Sequence, residues 1–283
     1  MPEPVSLWQL RASALTRARK AVRRREPEGL HDLRVALRRL SATAGALGRD
    51  ELSRDAKRIV RSLSEQRQLE VDRELLSKLR RLGFLSPDSA TALAARWEKL
   101  SGRGERRLTK AAGRPIETIV RRLGRLSEKS PDNTASRIER ARFRAQKALE
   151  RPLDSRDDRM LHRYRIAVKK ARYLAEDLAA LGVHPWQSLA ERERALQDAL
   201  GHWNDLRLFC RRLAESRQEA EERGAITLAG EIERLLSTLE PTIADCKRAA
   251  LQASKTHEAR IAVRPRARAA RPEARRPRTG GRG

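Results

Sequence analysis

Two short stretches of the chain combine a histidine with closely spaced cations, a pattern that suits the binding of an anion. Residues 29–43 read GLHDLRVALRRLSAT and residues 160–174 read MLHRYRIAVKKARYL, with a constant offset of 131 residues. Guanidinium groups make paired, charge-assisted hydrogen bonds to phosphate oxygens, and lysine adds a point charge. We therefore predict one anion-binding element present twice, formed by His31, Arg34, Arg38 and Arg39 and by His162, Arg165, Lys169 and Lys170.

Each stretch is predicted to be a helix that buries one face and presents its cations from another. At about 100° per residue, the leucines of the first copy share one stripe, and His31, Arg34 and Arg38 fall within about 60° of one another. Arg39 lies about 80° from His31. The second copy has an apolar stripe of Val168, Ala171, Ala175 and Leu178 and a cationic stripe of His162, Arg165, Lys169 and Arg172. This shared angular plan favours duplication of one unit.

The helix that precedes each copy carries a further stripe of cations. A run of charge on a helix is usually a solvated face, but such faces commonly interleave acids with Lys or Arg four residues apart. These stripes lack the interleaved acids, so an anionic ligand would relieve their mutual repulsion. The stripes consist of Arg17, Lys20 and Arg24 in the first half and of Arg137, Arg140, Arg144, Lys147 and Arg151 in the second.

The composition favours an all-α protein with a polyanionic partner. The chain has 283 residues, of which 39% are hydrophobic, and its apolar residues are mostly Leu and Ala with few aromatics. Its 64 Lys and Arg exceed its 38 Asp and Glu, which gives a net charge of +26 that opposes compaction unless a counter-ion screens it. Nucleic acid, an anionic membrane surface and inorganic polyphosphate all fit this charge.

Several other classes of site are disfavoured. Cys210 and Cys246 lack CxxC spacing, so we expect reduced thiols and neither a disulfide scaffold nor a zinc site. His31 and His162 have no His, Cys or carboxylate at i+3 or i+4, so we expect no metal and no cofactor, although burial as hydrogen-bonded histidines stays open. No apolar run reaches the ~20 residues of a membrane span. We therefore expect a soluble, cytoplasmic protein without a membrane partner.

The sequence is organised as successive amphipathic helices from about residue 5 to about residue 251. Gly, Pro or Ser signals interrupt the pattern at 25–29, 83–89, 101–105, 130–134, 151–158 and 181–185. The polar stretch 127–136 is the predicted internal boundary, with Asp132, Asn133 or Thr134 as the N-cap of the next helix. We predict helical bundles at 1–129 and 130–253, and a disordered Arg/Pro/Ala-rich tail at 254–283 that cannot bury a core.

These elements together resemble the CHAD family, the conserved-histidine α-helical domain. The family's helix motif, His-x-x-Arg-Val/Ile-x-x-Arg/Lys-Arg/Lys, is met in both copies. A second family motif is met well by LGHWNDL at 200–206 and loosely by LSEQRQLEV at 63–71, where Gln68 stands in the place of an acid and Glu70 replaces Asp. The resemblance covers about residues 5–251.

The resemblance implies two pseudo-symmetric antiparallel helical bundles around a basic central channel. It also implies inorganic polyphosphate as the ligand, a location on polyphosphate granules, and no catalytic activity. The alternative is a nucleic-acid-binding protein that acts non-specifically through the basic helices and the tail. The four tryptophans are expected in the core, which leaves few aromatic side chains to stack on bases.

Overall fold

The computed structural model describes residues 6–126, 131–147, 149, 158–183 and 186–262. These residues form helices joined by turns, and none of them lies in a strand, which confirms the predicted all-α class. Along the described chain the helices are α1 (Leu7–Arg23), α2 (Gly29–Ala46), α3 (Asp50–Ser62), α4 (Ser64–Arg81), α5 (Pro87–Ala112), α6 (Arg114–Leu123), α7 (Pro131–Lys147), α8 (Asp158–Ala180), α9 (Trp186–Glu222) and α10 (Ile226–Ala262).

Most of the predicted interruptions are helix ends in the structure. Gly83, between α4 and α5, and Gly182, after α8, have φ values of 78° and 76°, a left-handed conformation that glycine adopts at little cost. Ser86 caps α5, since its hydroxyl accepts a hydrogen bond from the Ser89 N–H at 3.2 Å. The local turn chemistry of the sequence therefore sets these boundaries.

Three predicted boundaries are wrong. The helix α5 continues through residues 101–105, where the sequence suggested a break. The helix α7 begins at Pro131, so Asn133 and Thr134 lie inside it rather than at its cap, and the Thr134 side chain is buried. The helix α10 extends to Ala262, beyond the predicted start of the tail. Packing against neighbouring helices overrides weak local signals at such positions.

The hydrophobic cores cross the predicted boundary at residue 130. One core joins α1, α2 and α3 to α6, α7 and the C-terminal half of α8. A second joins α4 and α5 to α9 and α10, and a third joins the start of α8 to α9 and α10. The two chain halves therefore do not form two independent cores.

The apolar stripe of α2 is buried as predicted and fixes the orientation of that helix. Leu33, Leu37 and Leu40 are fully buried, so truncation of one of them to Ala is expected to cost about 2–5 kcal/mol. Gly29 allows the start of α2 to approach the end of α1, because a Cβ at Gly29 would lie 2.8 Å from the Val22 backbone nitrogen. This packing sets the direction in which the cations of α2 point.

The helix α8 packs against α2, α7 and α9, and its predicted apolar stripe is also buried. Ile166, at the Val/Ile position of the family's helix motif, is 53% exposed. Cys210 and Cys246 are free thiols. In the described part of the chain, no helix is long and apolar enough to cross a bilayer.

Candidate functional site

Four cations from the two motif helices come together where α2 packs against α8. Arg34 and Arg38 project from α2, and Arg165 and Lys169 project from α8. The Arg38 charge lowers the pKa values of both Arg165 and Lys169, and the Arg165 charge lowers the pKa of Arg34. The two pairs therefore lie within electrostatic range of one another. We call Arg34, Arg38, Arg165 and Lys169 the central cluster.

Arg34 is the most enclosed member of the central cluster. Its side chain is buried, with 7% of the residue exposed, and its Nη1 donates to the Val60 carbonyl at 3.2 Å and to the Ser64 hydroxyl at 3.3 Å. Burial, followed by the nearby Arg38, lowers the pKa of Arg34 to about 10. Within the described residues, no carboxylate lies in ion-pair range of this guanidinium.

Lys169 lies at the centre of the positive charge. Burial and then the nearby Arg165 and Arg38 lower the pKa of Lys169 to about 6, and Arg34 acts in the same direction. Asp205 on α9 opposes this shift, and its carboxylate also lies 3.9 Å from Arg165. Asp205 is therefore the acid that acts on Lys169, whereas Glu70 acts on Arg34 at the other side of the central cluster.

The two motif histidines lie beside the central cluster. Partial burial and the Arg67 guanidinium lower the pKa of His31, and partial burial is also the main cause that lowers the pKa of His162. The Asn204 side chain partly offsets this lowering of the His162 pKa, and His162 Nδ1 is buried without a hydrogen-bond partner in the described structure. Both histidines would gain charge near an anion, because an anion favours the protonated imidazole.

Two arginines that sequence reasoning left out of the site also lie here. The Arg67 charge lowers the pKa values of both His31 and Arg34, and Arg67 forms an ion pair with Glu70 at 3.0 Å. The Arg207 charge lowers the pKa of His162, and the Arg207 guanidinium lies 5.5 Å from the Trp203 ring centroid. Arg67 lies within LSEQRQLEV and Arg207 directly follows LGHWNDL, so the signal that could have identified them was a cation in or beside each copy of the second motif.

Gln68 replaces the acid that the family motif has at this position, so the two halves of the chain differ in negative charge beside the central cluster. In the second half, Asp205 faces Arg165. The corresponding residue in the first half is Gln68, which donates from Nε2 to Asp72 Oδ1 at 2.8 Å and leaves Arg34 without an acid partner in the described residues. The acid missing from this motif therefore leaves the α2 side of the central cluster less compensated than the α8 side.

Arg39 and Arg172, both predicted to bind the anion, instead form an acid-paired network between α2 and α8. Arg39 Nη2 lies 2.9 Å from Glu176 Oε2, and Arg172 Nε lies 3.7 Å from Glu176 Oε1. Their guanidinium groups lie 5.9 Å and 4.8 Å from the Tyr173 ring centroid. Glu176 and Tyr173 therefore already engage both arginines, and anion binding by Arg39 and Arg172 stays a prediction.

Two buried ion pairs were not predicted. Arg11 on α1 pairs with Asp177 on α8, and Asp177 also accepts a hydrogen bond from the Thr43 hydroxyl at 2.6 Å. Arg142 on α7 pairs with Glu193 on α9 at 2.7 Å, with side chains only 4% and 1% exposed. These pairs connect helices that are distant in sequence, so no local pattern reveals them.

The remaining predicted cations lie outside the central cluster. Arg137 lies against the turn after α2, since a Cβ at Gly48 would be 2.7 Å from Arg137 Nη2. Lys170 lies near Lys57 and Arg144, and Arg151 falls outside the described residues. The predicted cations on α1, directly after it and on the outer side of α7 are exposed; these are Arg17, Lys20, Arg24, Arg140, Arg144 and Lys147.

The fold and site define an all-helical protein with a partly buried cationic cluster between two histidine-bearing helices. The chain belongs to the CHAD family, because the model of the CHAD domain matches residues 6–214. The fold is similar to the crystal structure of the CHAD domain from the plant Ricinus communis, with a TM-score of 0.60, 22% identity, and coverage of 87% of this chain and 89% of that one.

A second solved structure has a similar fold. PptA from Streptomyces chartreusis matches with a TM-score of 0.60 at 17% identity, over 88% of this chain and 96% of that one. At these identities the two structures show the fold alone. No curated protein matches the chain significantly. The predicted internal duplication stays a prediction.

Proposed function

We propose that the central cluster binds inorganic polyphosphate. The ligand would contact Arg34 and Arg38 from α2 and Arg165 and Lys169 from α8, with the two motif histidines beside it. Polyphosphate is a flexible polyanion without bases, so its binding requires closely spaced donors and no readout of sequence. Arginine suits this role because its planar group makes two charge-assisted bonds to phosphate oxygens.

The observation that carries the proposal is the environment of Lys169. An ammonium group that is half-buried among three arginines costs free energy, and burial with this repulsion lowers its pKa to about 6. Asp205 offsets the repulsion only in part. Several phosphates bound at this point would replace repulsion by attraction for the three arginines and would favour the protonated form of Lys169.

Membership of the CHAD family supports polyphosphate over other polyanions, because the motif residues that carry the resemblance supply the central cluster. The aromatic residues expected in the core also agree with a ligand that lacks bases, since Trp97 and Trp203 are fully buried. We propose binding without a catalytic step, and we expect the protein to associate with polyphosphate granules. A fluorescent fusion observed beside a polyphosphate stain tests this location.

The direct test reverses charge within the central cluster. The double variant Arg38→Glu, Lys169→Glu should lose retention on long-chain polyphosphate while its circular dichroism stays helical. The matched control is Arg17→Glu, Lys20→Glu, which replaces the same two residue types on the exposed face of α1. The control should retain most of the binding. Equal loss in the two variants would show that net charge alone matters and would contradict a defined site.

A further inference from the structure

The outer surface of α7 carries cations and an aromatic ring that the central cluster does not use. We define this surface as Arg140, Phe143, Arg144 and Lys147, all exposed. At about 100° per residue, the three cations lie within about 100° of Phe143 on one side of it. The buried face of the same helix, with Ile138, Ala141 and Ala145, lies roughly opposite.

Phe143 is the most exposed aromatic residue in the described part of the chain. It is 56% exposed, whereas Trp97, Trp203 and Phe209 are fully buried. The Lys147 ammonium lies 5.4 Å from the Phe143 ring centroid. A single exposed apolar side chain is ordinary on a protein surface. A solvent-facing ring with cations on one side is instead the arrangement that single-stranded nucleic-acid sites use for stacking and phosphate contact.

The cationic character of the surface extends onto two neighbouring helices. Lys57 on α3 and Arg144 both lie close enough to Lys170 on α8 to contribute to the lowered pKa of Lys170, after the larger effect of partial burial. Glu139 is the one acid among the described side chains of α7, and it lies about 40° from Phe143 on the side away from the cations. An extended phosphate backbone could therefore follow the cations on one side of the ring.

This surface and the central cluster are separate electrostatic groups. The charges that shift the pKa of Lys169 are those of Arg165, Arg38, Asp205 and Arg34. The charges that shift the pKa of Lys170 are those of Lys57 and Arg144. The outer surface of α7 therefore needs an explanation of its own.

We propose that the outer surface of α7 binds single-stranded nucleic acid, with a base stacked on Phe143 and phosphates paired with Arg140, Arg144 and Lys147. The ring distinguishes this ligand from polyphosphate, which has nothing to stack. It also distinguishes it from duplex DNA, whose bases are already stacked inside the helix. Stacking of this kind tolerates any base, so we expect little sequence preference.

The test removes the ring and leaves every charge in place. In the full chain at near-physiological salt, Phe143→Ala should weaken binding of labelled oligothymidylate by about fivefold or more, measured by fluorescence anisotropy. Binding of polyphosphate should not change. Phe143→Trp should restore binding, and its fluorescence should be quenched when the oligonucleotide binds.

The matched control is Phe84→Ala, because Phe84 is also exposed, at 45%, but lies in the turn between α4 and α5. This control should bind oligothymidylate like the parent. The proposal is overturned if Phe143→Ala binds oligothymidylate as the parent does, or if Phe84→Ala loses as much. It is also overturned if Phe143→Ala weakens oligothymidylate, duplex DNA and polyphosphate equally. None of these results depends on the charge-reversed central variant, which tests polyphosphate binding separately.

Discussion

Binding of polyphosphate at the central cluster should draw a proton onto Lys169. In the free protein, burial and then the nearby Arg165 and Arg38 lower the pKa of Lys169 to about 6. Arg34 adds to this effect and Asp205 opposes it. A phosphate chain beside the amine would stabilise its charged form and raise this pKa. The complex would then hold more protons than the free protein.

The size of this effect follows from the pKa. At pH 7, a group with a pKa of about 6 is protonated in about one tenth of the molecules, so binding should take up about 0.9 proton at Lys169. Because the complex binds more protons, affinity should fall as the pH rises above about 6, by up to about tenfold per pH unit until the pKa of the complex is reached.

Calorimetry measures the proton uptake directly. Titrations of long-chain polyphosphate at pH 7, in buffers of different ionisation enthalpy, give the number of protons taken up as the slope of apparent enthalpy against buffer enthalpy. The variant Lys169→Arg keeps the positive charge in the free state, since guanidinium stays protonated. Its uptake should be smaller by about 0.9 proton, and its affinity should depend less on pH.

Two results would contradict proton uptake at Lys169. The parent protein could bind without proton uptake, or Lys169→Arg could show the same uptake as the parent. In the second case, the protons would come from groups such as His31 and His162, whose pKa values burial also lowers. Either result would remove the uncompensated amine as the basis of binding.

Two further predictions concern the carboxylates around the site and in the core. Asp205→Asn should raise polyphosphate affinity about two- to fivefold, because it frees the cations that Asp205 faces. Ser64→Asp should place an acid beside Arg34 and lower the affinity by a similar factor. Titrations at fixed pH and salt check both, and an unchanged affinity in both variants would contradict binding at the central cluster. Glu193→Ala should destabilise the fold by about 3–5 kcal/mol, because it removes the buried carboxylate that pairs with the Arg142 guanidinium. Chemical denaturation measures this loss, and a value below about 1 kcal/mol would contradict a stabilising role of the Arg142–Glu193 pair.

Helical periodicity predicts much of the site and only part of the core. The spacing of Arg34 and Arg38 beside the leucines of α2 is enough to place those cations on one face, and the structure agrees. The same angular reasoning, applied to α7, would have placed Phe143 opposite Ile138. By contrast, the joining of α4 and α5 to α9 and α10 depends on contacts far apart in sequence, which no local pattern encodes.

The ion pairing of an arginine could be predicted where its acidic partner is near in sequence. Arg172 and Glu176 are four residues apart on α8, a spacing at which opposite charges pair, so the sequence already indicated a compensated arginine. Arg39 pairs with the same acid from another helix, which required the packing of α2 on α8. Burial of Arg142 against Glu193 likewise required the packing of α7 on α9.

The folded helices should prefer polyphosphate to other polyanions. Polyphosphate should be competed against duplex DNA at matched phosphate concentration and near-physiological salt, with the full chain and with a chain ending at Ala262, where α10 ends. We predict that both proteins bind polyphosphate in preference to DNA at matched phosphate, because the cations that hold it lie on α2 and α8. A preference for DNA that persists in the shortened chain would contradict the proposed function.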